Sequence, residues 1–559
     1  MKKLIFIYLI TGILSAWGQQ VKDSVKTEVI EVTRSFEPKV QDAYKLDVNP
    51  DLDTTPEAKI PVTYQIQSVP VASTFQPEKG KMAGFNPGNM LQDIYTSYVS
   101  GSIGNYTQVK ADAYVYYAVS DQLNSALRLS HYSSQGGQSG DYTYNPFYHT
   151  AIDAIFDYKT GQNTWQFDLG YDGHINHLNT DPDIIFINAP AVKTTTNKHN
   201  NFHLDVNGQF KDILFKNVRL SYNNLWDVFD NSEHTLQLKT NLVIPISSVD
   251  LKLGIQTDLV NGTSGKADYL ETPVDFDLNY QNTDIGLLPA VQIENDKLVA
   301  HLGAKLFYQN HPAYNKIQFI PDVNVSMNLI YEKLSIFAGV TGDLKQQSQT
   351  GLYARNPYLN LAQNLMPTLT PYNIFGGFNG AFSSAFSYEV KMGVKKIYNY
   401  AFYHYNMTQP PVVAYSIVYD DMTQSYFKTD FNIGIGKKLD LKLGLTYMQN
   451  NTDHLKKPLF IPDFDFKTIF IFKPNNKLNF NMTLNSVGKR NYVLSGDKSL
   501  KAYTDLNIGV RYNINKEFTA FIDAYNVLNQ EYEIYYLYPV QTLQLMGGVA
   551  YRFDIVPKN

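Results

Sequence analysis

Over long stretches of this chain, apolar and polar side chains alternate residue by residue. In Ala502–Asn513 the even positions Ala502, Thr504, Leu506, Ile508, Val510 and Tyr512 are apolar or amphipathic, and the residues between them are mostly polar. In Leu543–Ile555 the apolar set is Leu543, Leu545, Gly547, Val549, Tyr551, Phe553 and Ile555. Successive side chains of a strand point to opposite faces, so each segment predicts a strand with one greasy and one wet face. The pattern recurs at Leu478–Asn485, Leu441–Tyr447 and Leu251–Gln256.

From Ile94 onward such segments, about 10 to 14 residues each, follow one another through connections that are short, then long, then short again. The short ones carry turn chemistry: Ser120-Asp121-Gln122, Gly161-Gln162-Asn163, Ser247-Ser248, Asn295-Asp296, Lys437-Lys438, Pro474-Asn475-Asn476 and Asn515-Lys516-Glu517. The long ones run through Gly136–Asn145, Asn179–Asn200, Gly262–Thr283, Ser348–Asn373 and Gln409–Met422. A barrel inserted from the periplasm keeps its tight turns on that side and its large loops outside. The series from Tyr95 to Ile555 predicts about 22 antiparallel strands, an even number that returns the C-terminus to the periplasm. Its boundaries are least defined at Tyr95–Gly104, Asp275–Leu288 and Phe375–Ser384. No helical periodicity or βαβ alternation interrupts the series to cover the greasy faces, so the predicted cover is lipid. The expected fold class is all-β, a transmembrane antiparallel β-barrel over residues 94–556 with a short N-terminal periplasmic or lumenal segment.

Composition sharpens this picture. The chain holds 42 Tyr and 32 Phe with only 18% charged residues, which suits an apolar exterior, a polar lumen and aromatic girdles. A membrane-spanning helix needs roughly 20 consecutive apolar residues, and no such run follows the N-terminus. The net charge of -5 provides no basic surface for nucleic acid. The absence of cysteine excludes disulfides and thiolate metal sites.

The N-terminal part differs in character. Lys2 and Lys3 precede the apolar run Leu4–Leu14, and Ala16-Trp17-Gly18 supplies small residues for cleavage, so residues 1–18 read as a secretory signal. Residues 19–93 contain Pro38, Pro50, Pro56, Pro61, Pro70, Pro77 and Pro87 with only short alternations, and proline at this frequency interrupts helices and central strands. They read as an extended periplasmic or reduced-plug segment.

The opening Tyr98–Gln108 with Asp121–Ser130, and the close Asp523–Tyr532 with Gly547–Phe553, resemble the first hairpins and last strands of TonB-dependent receptor barrels, and the lack of cysteine with the Tyr/Asn-rich strands resembles the versions of the Bacteroidota group. The short extended stretch Glu28, Val29, Ile30, Glu31, Val32 and Thr33 resembles the motif by which such receptors add a strand to TonB. The resemblance implies an outer-membrane receptor or transporter whose partners are outer-membrane lipid and TonB or a partner lipoprotein. The family also carries a plug domain between TonB box and barrel, and a barrel this wide is normally plugged. Residues 19–93 show no plug pattern, which leaves a reduced plug, inward-folded loops such as Ser348–Asn373, or a partner protein to close the pore.

The chain contains no Walker loop, no Gly-x-Ser-x-Gly elbow and no His-Glu-x-x-His. Asp172, His174 and His177, with Asp181 and Asp183 nearby, offer imidazole and carboxylate groups, but a polar loop tip explains them equally. Asp463 and Asp465 fit lumen polarity better than acid/base catalysis. No catalytic, cofactor-binding or metal residue is assigned, and no enzyme activity is expected. The expected function is transport or reception of a solute at the cell outer membrane. The alternative is a non-transporting scaffold barrel that docks partner lipoproteins or secretion components.

Overall fold

The computed structural model describes residues 95–555 apart from 137–145, 179–195, 212–213, 229, 247–248, 264–265, 268–273, 276–278, 313, 360–364, 406–414 and 495–497. The signal sequence, the Pro-rich segment and the TonB-box-like stretch Glu28–Thr33 lie outside the described residues.

Twenty-two antiparallel strands form one closed sheet. They are β1 Ser97–Gly104, β2 Gln108–Ala118, β3 Leu123–Ser134, β4 Phe147–Thr160, β5 Asn163–His177, β6 Thr196–Gln209, β7 Phe215–Asp227, β8 Ser232–Ile246, β9 Val249–Thr263, β10 Asn279–Glu294 and β11 Leu298–His311. The series continues with β12 Tyr314–Ile330, β13 Leu334–Lys345, β14 Thr368–Ser383, β15 Phe386–Tyr405, β16 Tyr415–Ile435, β17 Leu439–Thr452, β18 Phe464–Phe472, β19 Leu478–Val487, β20 Tyr503–Asn513, β21 Phe518–Tyr525 and β22 Gln544–Phe553. Each pairs with its neighbour in sequence, and β1 pairs with β22 from Ser97↔Phe553 to Gly104↔Met546, so the sheet has no edge. Closure satisfies every wall strand through its neighbours, which is what a lipid-facing sheet requires. No helix among the described residues is long and apolar enough to cross a membrane.

The two faces follow the alternation. On β4 and β5, Ile152, Phe156, Phe167, Leu169 and Tyr171 are exposed on the outside. Asp153, Asp168 and Asp172 are set on the opposite face. On β22, Leu545 and Val549 are exposed, whereas Met546 between them is buried. An apolar exterior around a polar lumen on a closed barrel is the construction of an outer-membrane protein.

Several strands outrun the lengths the alternation suggests. β15 has 20 residues and β16 has 21, so the expected loop Gln409–Met422 contracts, and Ser348–Asn373 gives its last residues to β14. The segments left uncertain by sequence become β1, β10 and β14. The asymmetry of the ends is present but incomplete. On the long-loop side the β1–β2, β7–β8 and β11–β12 connections are tight, and the second is held by Asp227, whose carboxylate accepts the Asn231 backbone and side-chain N–H groups at 2.9 and 2.7 Å.

At the other end one small device recurs. The Asn295 side-chain oxygen accepts the backbone N–H groups of Lys297 and Leu298 at 3.0 and 2.9 Å. Asn475 does the same for Lys477 and Leu478, and Asn515 for Glu517 and Phe518. An asparagine side chain so placed mimics a backbone turn and reverses the strand within a few residues.

Candidate functional site

The long connection between β13 and β14 folds into the mouth of the barrel. It opens with the short helix α1, Gln349–Tyr353, capped by Ser348, whose hydroxyl accepts the Gly351 N–H at 3.0 Å. The first-turn N–H groups of a helix have no partner within it. Here Glu233 of β8 supplies one: its carboxylate accepts the Gln349 and Thr350 backbone N–H groups at 2.8 and 3.1 Å and the Tyr280 hydroxyl at 2.7 Å. Glu233 is only 1% exposed, and these donors offset the cost of burying it.

Glycine makes this latch possible. Glu233 and Tyr280 stand on β8 and β10, and both pair with Gly262 of the intervening β9. A Cβ at Gly262 would overlap the Tyr280 ring, so only glycine lets groups two strands apart meet. The same arrangement recurs at Gly170 on β5, where Asp153 of β4 and His203 of β6 meet.

Further contacts carry the loop across the lumen. Asn176 on β5 donates to the Tyr353 hydroxyl at 3.0 Å, and Asn197 on β6 donates to the Pro357 carbonyl at 3.3 Å. Asn282 on β10 and His311 on β11 reach the Leu365 carbonyl at 3.1 and 2.9 Å, and Tyr403 on β15 donates to the Leu352 carbonyl at 2.7 Å. Backbone carbonyls of a loop lodged inside a barrel need such partners. Leu352, Leu359 and Leu365 are fully or almost fully buried.

A second loop, between β21 and β22, meets the first. The rings of Tyr358 and Tyr538 stack at 3.4 Å, the Tyr535 hydroxyl donates to the Arg355 carbonyl at 2.6 Å, and Tyr415 donates to the Tyr536 carbonyl at 2.8 Å. Arg490, from the β19–β20 connection, is buried and donates to the Glu533 and Ile534 carbonyls at 2.7 and 3.0 Å. Burial pushes the Tyr358 hydroxyl up to about 12 and lifts the Glu533 carboxyl above its ordinary range. Between these loops and the wall lies a cleft of about 180 Å³. Arg355, Arg490, Tyr403, Tyr535 and Phe460 are among its lining residues. Its chemistry is that of aromatic faces flanked by guanidinium groups.

The residues singled out from sequence are only partly brought together. Asp172 and His174 share the lumen face of β5, but His177, an odd number of positions from His174, falls on the other face, and Asp181 and Asp183 lie outside the described residues. The partner of Asp172 and His174 is instead His149 on β4. Sequence carried a signal for this: His149 and His174 are equidistant from the Gly161-Gln162 turn and so fall opposite one another in the hairpin. Asp465 sits on β18 beside Lys467, and Asp463 ends the connection before it. Glu233, Tyr280 and the tyrosines of the mouth escaped sequence reading because their partners lie on strands and loops far apart in sequence.

No family model and no curated protein matches this sequence. Among solved structures, the barrel is similar to the ferripyoverdine receptor of the outer membrane of Pseudomonas aeruginosa, with a TM-score of 0.61 and 13% identity over 82% of this chain and 72% of that one. It is also similar to the siderophore receptor PirA from Acinetobacter baumannii, with a TM-score of 0.60 and 12% identity over 82% and 80% of the two chains. A copper transporter, OprC, gives 0.60 and 10% over 82% of each. The chain therefore shares the barrel fold of these proteins.

Proposed function

We propose that this barrel is an outer-membrane receptor or transporter whose mouth is closed by its own loops, and that it takes up a solute through the Arg355–Arg490 cleft. The observation that carries this reading is the loop after β13, which crosses the lumen and is fastened to β5, β6, β8, β10, β11 and β15. A purely structural barrel has no need of a loop fastened across its lumen by such contacts, with the buried Glu233 carboxylate holding its first helical turn. The neighbouring folds belong to siderophore receptors and to a copper transporter, which supports reception or transport of a solute as the general role. Two guanidinium groups among tyrosine rings suit an anionic solute with flat rings. Glu28–Thr33 is the proposed handle for TonB, resting on its sequence alternation alone.

Conductance in a planar bilayer tests this. The full chain is expected to pass little current, and Glu233→Ala, which removes the latch, to raise the open-channel conductance. A full chain that conducts freely would contradict closure by the loops. If both proteins stay closed, a scaffold that docks partner lipoproteins becomes the better reading.

A further inference from the structure

The lumen wall below α1 carries three imidazoles in a row. His149 on β4 pairs with His174 on β5, and His174 pairs with His199 on β6. Direct cross-strand partners share a face, and the rings lie almost parallel, with centroids 4.0 Å apart for the first pair and 4.9 Å for the second. Two residues before His174, on the same face, Asp172 turns its carboxylate to them. One oxygen is 3.0 Å from His149 Nε2 and the other touches His174 Nε2. The ligand atoms of His149, Asp172 and His174 all lie within 4.8 Å of one another.

A second cluster on the same wall shows what the first lacks. Asp153, Asp168 and His203 also converge, but there the Arg128 guanidinium donates to Asp153 at 2.8 Å, so a fixed cation already serves the carboxylate. Among the described residues no lysine or arginine pairs with Asp172; its partners are the two histidines. His199 adds an independent sign. It is 2% exposed, and neither ring nitrogen has a hydrogen-bond partner, although a buried polar atom normally has one. Its ring packs between His174 and Tyr353 of the loop helix. Adjacent imidazoles in such a row repel one another if protonated, and as neutral bases they are ligands for a borderline cation.

We propose that His149, Asp172 and His174 bind one divalent transition-metal ion of the zinc or copper class, with His199 as the neighbouring imidazole that shields the site under the loop helix. Two imidazoles and a carboxylate match the preference of these ions for nitrogen and oxygen donors at roughly 2.0–2.2 Å, leaving a position open to water or to a cargo ligand. The ion supplies the positive charge that Arg128 supplies in the neighbouring cluster.

The test uses the full chain without a polyhistidine tag, stripped with a chelator and titrated with Zn²⁺ by calorimetry, and Cu²⁺ as a second probe read by electron paramagnetic resonance. One zinc ion per chain and nitrogen hyperfine structure from two imidazoles are expected. Asp172→Asn, and separately His149→Gln with His174→Gln, should weaken binding by at least about tenfold, while His203→Gln leaves it unchanged. Heat-modifiable migration on a gel confirms that each variant is an assembled barrel. Wild-type protein that binds no zinc overturns the proposal whatever the variants do. So does binding that survives the double substitution, or that His203→Gln abolishes.

Discussion

The two ends of this barrel solve the same problem, reversing a strand, by opposite means. At the short-turn end the solution is local: Asn295, Asn475 and Asn515 each satisfy the backbone two and three residues ahead, and the result depends on nothing distant. At the mouth the solution for the loop after β13 is global. The N–H groups of Gln349 and Thr350 wait for a carboxylate more than a hundred residues away, and the Leu365 carbonyl is met by Asn282 and His311 from two different strands. Local turns can be exchanged without consequence elsewhere. A mouth fastened through many strands couples each of them to the loop, which is what the loop closure proposed above requires.

The wall that joins the two ends gives the largest expected effect. Met482 lies on the apolar face of β19, and Asn481 points to the lumen, where Gly509 leaves room for it. Met482→Arg near the midplane should cost roughly 2–4 kcal/mol of barrel stability, and Asn481→Arg far less. Unfolding in urea from lipid vesicles measures both. Equal losses would remove the distinction between faces on which the comparison of the ends rests.

Glycine offers a sharper cut at the mouth alone. Gly262→Ala forces Tyr280 away from Glu233 and should destabilise by about 1–3 kcal/mol, as overpacking does. Gly101→Ala, where a Cβ meets nothing within 4 Å, serves as the control. Hydrogen exchange should speed up across 349–354 in the first variant and not in the second. Faster exchange throughout the barrel in Gly262→Ala would show that the latch is part of the wall rather than a separable device.

The smallest effect concerns the connection between β17 and β18. Asp420, buried on β16, accepts the His454 and Leu455 N–H groups and lies 2.8 Å from His454 Nδ1. The carboxylate raises the exposed His454 imidazole above its ordinary 6.5. A raised folded-state value means that the contribution is complete below the unfolded value and lost as pH rises through the folded one. Exchange in 453–463 should therefore quicken as pH climbs above 6.5, beyond the intrinsic rate, and His454→Gln should abolish that excess. No corresponding change is expected at the asparagine turns, which hold no histidine.

What the sequence disclosed divides along the same line. The strands of the wall were legible because alternation is a local signal that lipid and lumen enforce at every position, as in Leu478–Asn485 and Leu543–Ile555. Turns built on Asn295 and Asn475 were legible for the same reason. Ser348–Asn373 could be recognised as a long loop, and inward folding was one of three expected closures, but its seat on Glu233 was not, because a helix cap supplied from 116 residues away leaves no pattern in either segment. The grouping of Asp172 and His174 with His177 failed on strand geometry, since three positions along a strand reverse the face. Reading the hairpin about Gly161-Gln162 would have replaced His177 with His149.

The central claim is that the loop after β13 sits in the mouth, against β6. The chain contains no cysteine, so Asn197→Cys and Pro357→Cys, at positions joined by a 3.3 Å hydrogen bond, give a clean pair for a short, membrane-impermeant bifunctional thiol reagent applied to whole cells. The account predicts a cross-linked product joining the peptides that carry positions 197 and 357, and none when Asn197→Cys is paired with Asn475→Cys at the opposite end. Single labelling at both 197 and 357 without a linked product would contradict it.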